Sequence, residues 1–508
     1  MSIDDEDRDA ALQEAARAIA QGRPDDAVVL LEQLVGAGVR SGRAFGLLGV
    51  ARHRSGRSAQ AREAFLGGLS AAPDDADLHN NYGVFLKQTG AYEEAIAALA
   101  EARRLNPANR SVNLNLGNCY LALGRWRDAE AALDAATSAA PQNPMAWNSL
   151  GVVRKRMGDF SGALVAYARA LELAPDAAPV RRNYAACLAA AGDTRDAIAA
   201  LRAVQNTQPD YWPARNDLAG LLEKQGDLDE AIALFEGVAA AAPERAEPHA
   251  NLAGALLAAG RAREALDATD AALAASGEKT TALALRSVAF SVLNDPDAFG
   301  TLVETSRLVR QYDAPPDAFA QATGETAVAD FNRMLTDSVR AHPSLTFEPA
   351  GLTTRQGRQT RELLDGAPGP FAVLATWIER CVDDYIAALD PQRDALFLSG
   401  LPERRTLTMW GTILDPGGRL EPHIHAPNWL SGVYYPKLPP ATPDEPTAGW
   451  FEVGRPPAHY HTDPAAPPAL FQPAEGRLFL FPSFFYHRTT PFSVDERVSI
   501  AFDVEPLD

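Results

Sequence analysis

The histidines of this chain are concentrated in one region, since five of the nine lie between residues 423 and 487. His423 and His425 stand two residues apart in EPHIHAPNWLSGVYYP (421–436), just before an aromatic, β-prone run. Residues two apart on a strand project from the same face, so these two imidazoles are predicted to point together. His487 follows FPSFFY at the end of another apolar run. Imidazole is a common ligand of transition metals, so the three histidines are candidate ligands of one metal ion.

An arginine and a serine, also two residues apart, begin ten residues after His487. In RVSIAFDV (497–504), strand alternation places Arg497, Ser499 and Ala501 on one face and apolar residues on the other. A polar face of this kind is unusual for a buried strand. It would fit a cavity that holds an anion, because a guanidinium forms charge-assisted hydrogen bonds with carboxylates.

Two further histidines, His459 and His461, repeat the two-apart pattern in PPAHYHTDP. That stretch is rich in proline and lacks strand character, so we expect both to be loop residues over the mouth of the site. Glu421 also lies two residues from His423, but the proline that follows it makes its placement uncertain. Trp410 is interpreted as a packing residue.

The elements that must position these side chains are short strands. After about residue 402 the chain consists of β-branched and aromatic runs separated by proline and glycine, namely RTLTMWGTIL, LSGVYYP, GWFEV, GRLFLFP and RVSIAFDV. This spacing predicts an all-β sandwich or barrel. Residues 325 to 395 read as mixed, with helices predicted near 326–341 and 370–389.

The first half of the chain is an internal repeat with a period of 34 residues. Prolines recur at this interval at Pro73, Pro107, Pro141, Pro175, Pro209 and Pro243. Small residues recur where a first helix must let its neighbour approach, at Gly49, Gly83, Gly117, Gly151, Ala185, Ala219 and Ala253. Glycines recur between paired helices, where a cap with positive φ is needed, at Gly22, Gly56, Gly90, Gly124, Gly158, Gly192, Gly226 and Gly260.

This pattern resembles the tetratricopeptide repeat family over residues 8–279, as eight helix-turn-helix units. The resemblance implies an all-α solenoid with a concave groove that binds a peptide or protein partner. One groove position carries Asn81, Asn115, Asn183 and Asn251, interrupted by Ser149 and Asp217. An asparagine amide complements a peptide unit, so this column is predicted to hold the backbone of an extended substrate. The alternative is that the asparagines hydrogen-bond locally between helices. Residues 280–324 are predicted to form capping helices and a linker.

Residues 325–508 look like the iron(II)- and 2-oxoglutarate-dependent oxygenases, specifically the bacterial group joined to tetratricopeptide repeats. The resemblance rests on LTMWGTIL, EPHIHAPNWLSGVYYP, GRLFLFPSFFYH and ERVSIAFD. It implies an α+β domain with a double-stranded β-helix, or jelly-roll, core. It also implies that His423, His425 and His487 bind Fe(II). Arg497 and Ser499 would then bind the far carboxylate of 2-oxoglutarate, with Tyr434 as a further contact.

The second ligand position departs from the usual pattern. Most of these oxygenases use two histidines and one carboxylate, whereas here the second member is His425. Either both His423 and His425 bind the metal, which we favour, or only one does, as in the aspartyl and asparaginyl β-hydroxylases. The expected function is a dioxygenase that hydroxylates a peptide or protein. The alternatives are a non-catalytic scaffold with a structural metal and a three-histidine dioxygenase that does not use 2-oxoglutarate.

Bulk properties narrow the choice of partners. A formal charge of −19 argues against nucleic acid and anionic membranes as partners, because phosphate binding needs clustered lysine and arginine. The three cysteines are too few and too far apart for a disulfide framework, and the start of the chain is charged where a signal peptide would be apolar. No run reaches the length of a membrane span. We therefore expect a cytoplasmic protein.

Overall fold

The computed structural model describes residues 5–316, 319, 327–349, 353–365, 369–460 and 462–506. The chain divides into two compact units, residues 1–218 and 219–508. Among the described residues, no helix combines the length and the apolar character needed to cross a membrane.

The first unit consists of paired antiparallel helices. They are α1 (Asp5–Ala20), α2 (Pro24–Gly36), α3 (Gly42–Arg54), α4 (Ser58–Ala71), α5 (Ala76–Gln88), α6 (Tyr92–Leu105), α7 (Arg110–Ala122), α8 (Trp126–Ala139), α9 (Pro144–Arg156), α10 (Phe160–Leu173), α11 (Ala178–Ala191) and α12 (Thr194–Thr207), with α13 (Trp212–Gln225) at the boundary between the units. The eight repeated glycines all have positive φ, from +68° to +98°, which confirms their predicted place between helices.

The small residues of the repeat allow close helix pairing. A Cβ added to Gly83 would lie 2.6 Å from Cγ of Leu99, and one added to Gly117 would lie 2.5 Å from Cγ of Leu133. Both leucines are fully buried on the second helix of their repeat. The leucine of one helix therefore occupies the space that a side chain on the other would need, which explains the 34-residue recurrence of glycine.

The second unit begins with a further run of helices. They are α14 (Leu228–Ala241), α15 (Ala246–Ala258), α16 (Ala262–Ala274), α17 (Thr280–Val292), α18 (Pro296–Leu302) and α19 (Thr305–Leu308), followed later by α20 (Val328–Arg340), α21 (Pro370–Ala387) and α22 (Ala395–Leu398). The two helices predicted near 326–341 and 370–389 are present as α20 and α21.

The rest of the second unit is built from antiparallel strands. They are β1 (Arg310–Asp313), β2 (Thr346–Phe347), β3 (Thr354–Gln359), β4 (Arg405–Leu420), β5 (Leu430–Lys437), β6 (Phe451–Val453), β7 (Ala469–Phe471), β8 (Arg477–Pro482), β9 (His487–Thr489) and β10 (Arg497–Pro506). One sheet has the order β1-β8-β5-β10-β4-β3-β2, and a second has the order β7-β6-β9. A helical repeat solenoid followed by a β-rich domain with two antiparallel sheets confirms the predicted fold class.

One strand lies where the sequence predicted only helices and linker. β1 falls within residues 280–324, yet it pairs with β8 through Arg310 opposite Leu480 and Asp313 opposite Arg477. A domain that began at residue 325 would therefore lack an edge strand of its larger sheet.

The central strands β5 and β10 separate a helix-covered face from a cavity. Tyr434 on β5 points to α20, where its hydroxyl donates to Asn332 at 2.6 Å. The next residue, Tyr435, lines the cavity on the opposite face together with Val433. This alternation, and the matching one on β10, decides which side chains reach the candidate site.

Candidate metal centre and anion cavity

The three predicted histidines come together where β4 ends and β9 begins. His423 and His487 pair through two backbone hydrogen bonds of 3.1 Å, and the backbone N–H of His425 donates to the Ser483 carbonyl at 3.1 Å. One ring nitrogen from each histidine lies within 4.8 Å of those of the other two. The strand pairing thus brings together residues that are more than 60 positions apart in sequence.

Each imidazole is oriented by an acceptor at its Nδ1 atom. Nδ1 of His423 contacts the Glu421 carbonyl at 2.8 Å, and Nδ1 of His487 contacts the Phe485 carbonyl at 2.9 Å. Nδ1 of His425 contacts Oδ1 of Asp503 at 2.7 Å. Carbonyl and carboxylate oxygens accept, so the protons belong on the Nδ1 atoms and the three Nε2 lone pairs are available for a metal.

Burial keeps the imidazoles of His423 and His487 neutral. It lowers the pKa of His423 to about 3, an effect increased by the neighbouring His425. Burial and the two other imidazoles also hold the pKa of His487 well below its usual value. Neutral imidazole is the form that binds a metal, so this donor set suits a divalent transition ion.

A cavity of about 300 Å³ lies beside the histidines, at the small end of the range for ligand pockets. Arg497 lines it and is only 2% exposed. Its Nη1 donates to Oγ of Ser499 at 3.3 Å, and its guanidinium carbon lies 4.9 Å from the centre of the Tyr435 ring. Burial lowers the pKa of Arg497.

Two polar atoms in this cavity have no hydrogen-bond partner among the described residues, namely Nε of Arg497 and the hydroxyl of Tyr435. A buried guanidinium without a carboxylate is costly, and such a group normally has an anionic partner. The predicted pair Arg497 and Ser499 therefore lies in the cavity as expected, in a setting suited to a carboxylate ligand.

Tyr434, the predicted co-substrate contact, does not line the cavity, so that prediction is corrected. Its hydroxyl is already bound to Asn332, and its side chain lies on the helix-covered face of β5. The adjacent residue, Tyr435, lines the cavity instead. Which of the two tyrosines faces the cavity depends on how β5 pairs with β10. Ala501 lies opposite Val433, and the register shifts between Val498 and Ile500.

One residue in the site, Asp503, was missed in the sequence analysis. Asp503 lines the cavity and holds His425, Asn428 and Ser431 through its two carboxylate oxygens. Strand alternation could have predicted it, because Asp503 is the next alternate residue after Arg497, Ser499 and Ala501 and therefore lies on the same face. Trp410, interpreted from the sequence as a packing residue, lines the cavity with its ring 5.4 Å from that of His425.

The remaining acidic and histidine candidates lie elsewhere. The Glu421 carboxylate pairs with Arg419, and only its backbone carbonyl reaches His423. His459 lies in a 3-10 turn, Ala458–Tyr460, that does not line the cavity, and its ring is 4.1 Å from that of Tyr460. His461 lies outside the described residues.

The asparagine column was predicted to line the repeat groove. In the first unit, Oδ1 of Asn115 accepts from Lys87 at 2.8 Å, and Nδ2 of Asn183 donates to Asn148 at 3.0 Å. Both partners belong to the preceding repeat. Asn81 lines a separate cavity of about 370 Å³ beside His53. Asn251 lies in the second unit, on α15. Two of the four asparagines thus link adjacent repeats.

Comparison with known proteins finds family matches in the repeat region and in the β-rich region of the chain. The family described as "Putative 2OG-Fe(II) oxygenase" matches residues 408–503. Two tetratricopeptide repeat families match residues 12–76, 54–110, 86–151, 156–222 and 222–287. No curated protein matches the chain.

Several solved structures resemble part of the chain. The pilF protein of Pseudomonas aeruginosa is 22% identical over 40% of this chain and 93% of its own, with a TM-score of 0.37. The Cut9–Hcn1 hetero-tetramer is 19% identical over 49% of each chain, with a TM-score of 0.42. YrrB is 22% identical over 36% of this chain and 94% of its own, with a TM-score of 0.31. By its family matches, this chain joins tetratricopeptide repeats to a domain that matches the family described as "Putative 2OG-Fe(II) oxygenase".

Proposed function

We propose that this protein is an Fe(II)- and 2-oxoglutarate-dependent dioxygenase that hydroxylates a peptide or protein substrate recruited by its repeats. The observation that carries the proposal is the combination of three convergent imidazoles with a buried, uncompensated arginine in one cavity. A metal ion bound by the imidazoles and a carboxylate bound by the arginine would together account for this pair of features.

The residues of the site would have three roles, namely to bind the metal, to bind the co-substrate and to exclude water. His423, His425 and His487 would hold Fe(II) through Nε2, because their Nδ1 atoms are engaged. Arg497, Ser499 and Tyr435 would bind and orient the far carboxylate of 2-oxoglutarate. Bound Fe(II) and 2-oxoglutarate would supply the oxidation of a substrate C–H bond by oxygen, coupled to decarboxylation to succinate. The apolar walls formed by Phe451, Phe481 and neighbouring residues exclude water from this reaction.

The proximity of all three histidines supports a three-histidine centre over a site with two. His423 and His425 have ring centres 5.0 Å apart, and His487 lies 4.3 Å and 4.9 Å from them. Each has its own Nδ1 acceptor, as expected of a metal-bound imidazole. If only His423 and His487 bound the metal, nothing in the site would need the imidazole of His425 to be held in a fixed orientation.

The anion cavity distinguishes this proposal from its two alternatives. A structural metal in a scaffold, or a three-histidine dioxygenase without 2-oxoglutarate, has no need of a buried guanidinium beside the metal. In either case Arg497 would destabilise the folded protein without serving the site, since a buried charge without an ionic partner is unfavourable. A dicarboxylate co-substrate would supply the anionic partner that the buried Arg497 lacks among the described side chains.

The peptide or protein nature of the substrate is supported by the repeats. Tetratricopeptide solenoids present extended concave surfaces that serve as protein-interaction modules. The first unit carries Asn81, Asn115 and Asn183 on the predicted groove face, and two of these amides have at least one donor or acceptor engaged with a neighbouring repeat. A side-chain amide has two N–H donors and an acceptor oxygen with two lone pairs, so these asparagines can still form hydrogen bonds with the backbone of a bound peptide.

Anaerobic titration tests the proposal directly. Fe(II) followed by 2-oxoglutarate should produce a visible charge-transfer band in the wild-type protein, because chelation of the metal by the 2-oxo acid creates that transition. His423→Ala and His487→Ala should each abolish the band and the Fe(II)-dependent release of succinate. A wild-type protein that binds Fe(II) but shows no band with 2-oxoglutarate would favour the other two functions.

A further inference from the structure

Asp503 is the only carboxylate among the described residues that line the cavity. It is 5% exposed and lies on β10, on the same face as Arg497 and Ser499. A carboxylate so deeply buried must be compensated by donors. Its surroundings show which donors these are and what the carboxylate does for the metal centre.

Three side chains donate to Asp503. Oδ1 accepts from Nδ1 of His425 at 2.7 Å and from Oγ of Ser431 at 2.6 Å, and Oδ2 accepts from Nδ2 of Asn428 at 2.8 Å. Asn428 is itself anchored, because its carbonyl accepts from Oγ1 of Thr280 on α17 at 2.7 Å, in a buried contact. The carboxylate is therefore held in one orientation by groups from separate elements.

The three histidines differ in what their Nδ1 atoms contact. His423 and His487 donate to backbone carbonyls, which are neutral. His425 alone donates to a carboxylate. His425 also occupies the position where the resembled oxygenases most often have a carboxylate ligand, and here the carboxylate of Asp503 lies behind the imidazole, at its Nδ1 atom.

We propose that Asp503 is a positioning residue that acts through His425, supplying to the metal the negative charge that a carboxylate ligand would otherwise bring. This inference rests on the proposed function, since it concerns the same metal. A carboxylate bound to Nδ1–H fixes the tautomer and ring orientation and makes Nε2 a stronger electron donor. The metal centre then has three neutral ligands and one negative charge a single hydrogen bond away.

The test compares two neutralising substitutions on β10 in the full chain. Asp503→Asn keeps the size of the side chain and an acceptor oxygen but removes the charge. Glu505→Gln, two residues further along, is the matched control, since Glu505 contacts Thr408 and does not line the cavity. The probes are Co(II), titrated by its visible absorption, and the Fe(III)/Fe(II) couple, measured by potentiometry without co-substrate.

Asp503→Asn should bind Co(II) at least about tenfold more weakly than the wild type. It should also shift the iron couple to a more positive potential, because the variant has lost a negative charge that stabilises the ferric state. Glu505→Gln should leave both unchanged. A purely structural role for Asp503 would lower the melting temperature without moving the potential, so an unchanged potential in folded Asp503→Asn overturns the proposal.

A second measurement needs no variant and covers the case in which Asp503→Asn does not fold. In the Zn(II)-loaded wild type, the Nδ1 proton of His425 should resonate further downfield than those of His423 and His487, because its acceptor is charged. Equal shifts for the three protons would overturn the proposal. Failure of the wild type to bind Co(II) or Zn(II) at all would instead overturn the proposed function, and this proposal with it.

Discussion

Arg497 is the residue on which the choice of co-substrate depends. Replacing it with alanine should weaken 2-oxoglutarate binding by at least about 2 kcal/mol, or roughly thirtyfold, because a carboxylate in the cavity would lose its charged partner. Calorimetric titration of 2-oxoglutarate into the metal-loaded protein measures this loss. Arg488→Ala is the matched control, since Arg488 also lines the cavity but is already paired with Glu452 at 2.9 and 3.0 Å. Equal losses in the two variants would contradict the assignment.

The two adjacent tyrosines of β5 should respond oppositely to loss of the hydroxyl. Tyr435→Phe should raise the apparent KM for 2-oxoglutarate. The buried hydroxyl beside Arg497 has no partner in the part of the protein that the structure describes and would donate to the co-substrate carboxylate, and phenylalanine lacks that donor. Tyr434→Phe should leave that KM unchanged but reduce the free energy of unfolding by about 1 kcal/mol, through loss of the bond to Asn332. Steady-state kinetics and thermal denaturation of both variants separate the two effects. The reverse assignment of effects would restore Tyr434 to the site.

At this scale, the sequence predicts what local alternation determines and misses what strand pairing determines. The same-face placement of Arg497 and Ser499 follows from alternation within one strand and agrees with the structure. The choice between Tyr434 and Tyr435 depends on the register of β5 against β10 and on a bulge, neither of which leaves a local signature. Asp503 could have been included from alternation, but its contact with His425 spans 78 residues.

The helix pairs of the repeat depend on a small residue at each crossing. Gly83→Ala and Gly117→Ala should each destabilise the protein by about 1–3 kcal/mol, because the added methyl group would overlap Leu99 or Leu133. Gly220→Ala on α13 is the matched control, since nothing lies within 4 Å of a Cβ there. That change should stabilise its helix by roughly 1 kcal/mol. Chemical denaturation of the three variants measures the difference, and a stabilised Gly83→Ala would contradict the close packing.

Within the second unit, a half-buried carboxylate of α13, that of Glu223, makes stability depend on pH. Burial raises the pKa of Glu223, although the adjacent Lys224 opposes the shift. Burial also raises the pKa of Tyr460 to about 12, and the charge of Glu223 adds to this effect. Because folded Glu223 holds its proton more tightly than unfolded Glu223, its contribution to stability is favourable below about pH 4.5 and is lost as pH rises through the folded pKa.

Glu223→Gln should therefore raise the melting temperature at pH 7, and the gain should shrink as the pH falls towards 4. Thermal melts at several pH values measure this, with Glu236→Gln on the exposed side of α14 as the control. A gain that grows on acidification would mean that the carboxylate is stabilising in the folded protein.

At the scale of elements, the repeat was the most predictable part of the chain. Its period fixes which residues must be small and which must adopt positive φ, and the glycines at both kinds of position behave accordingly. The edge strand β1 was not predictable, because RQYD is too short and too polar to indicate a strand without its partner β8. Short edge strands are formed by pairing rather than by local preference.

For the whole molecule, the question is whether the repeats direct substrate to the metal. Replacing Asn81, Asn115, Asn183 and Asn251 together with alanine should raise the KM for the protein substrate well above tenfold, since each neutral hydrogen bond contributes about 0.5–1.5 kcal/mol. Slow substrate-free turnover of 2-oxoglutarate should persist. Succinate release with and without substrate, in wild type and variant, measures both. Retention of substrate-coupled turnover with a lowered melting temperature would mean that the asparagines only link repeats, as Asn115 and Asn183 do through Lys87 and Asn148.

The buried bond from Thr280 to Asn428 bears on how this protein could change length over evolution. Solenoids commonly gain or lose whole repeats, because each repeat contacts only its neighbours. Here α17 is also part of the support for the metal centre, and β1 completes the larger sheet. Loss or duplication of a repeat within residues 1–218 would leave these contacts intact, whereas the same event between α14 and α19 would displace the donor to Asn428. The last repeats are thus expected to be inherited together with the oxygenase domain, while the earlier ones are free to vary in number.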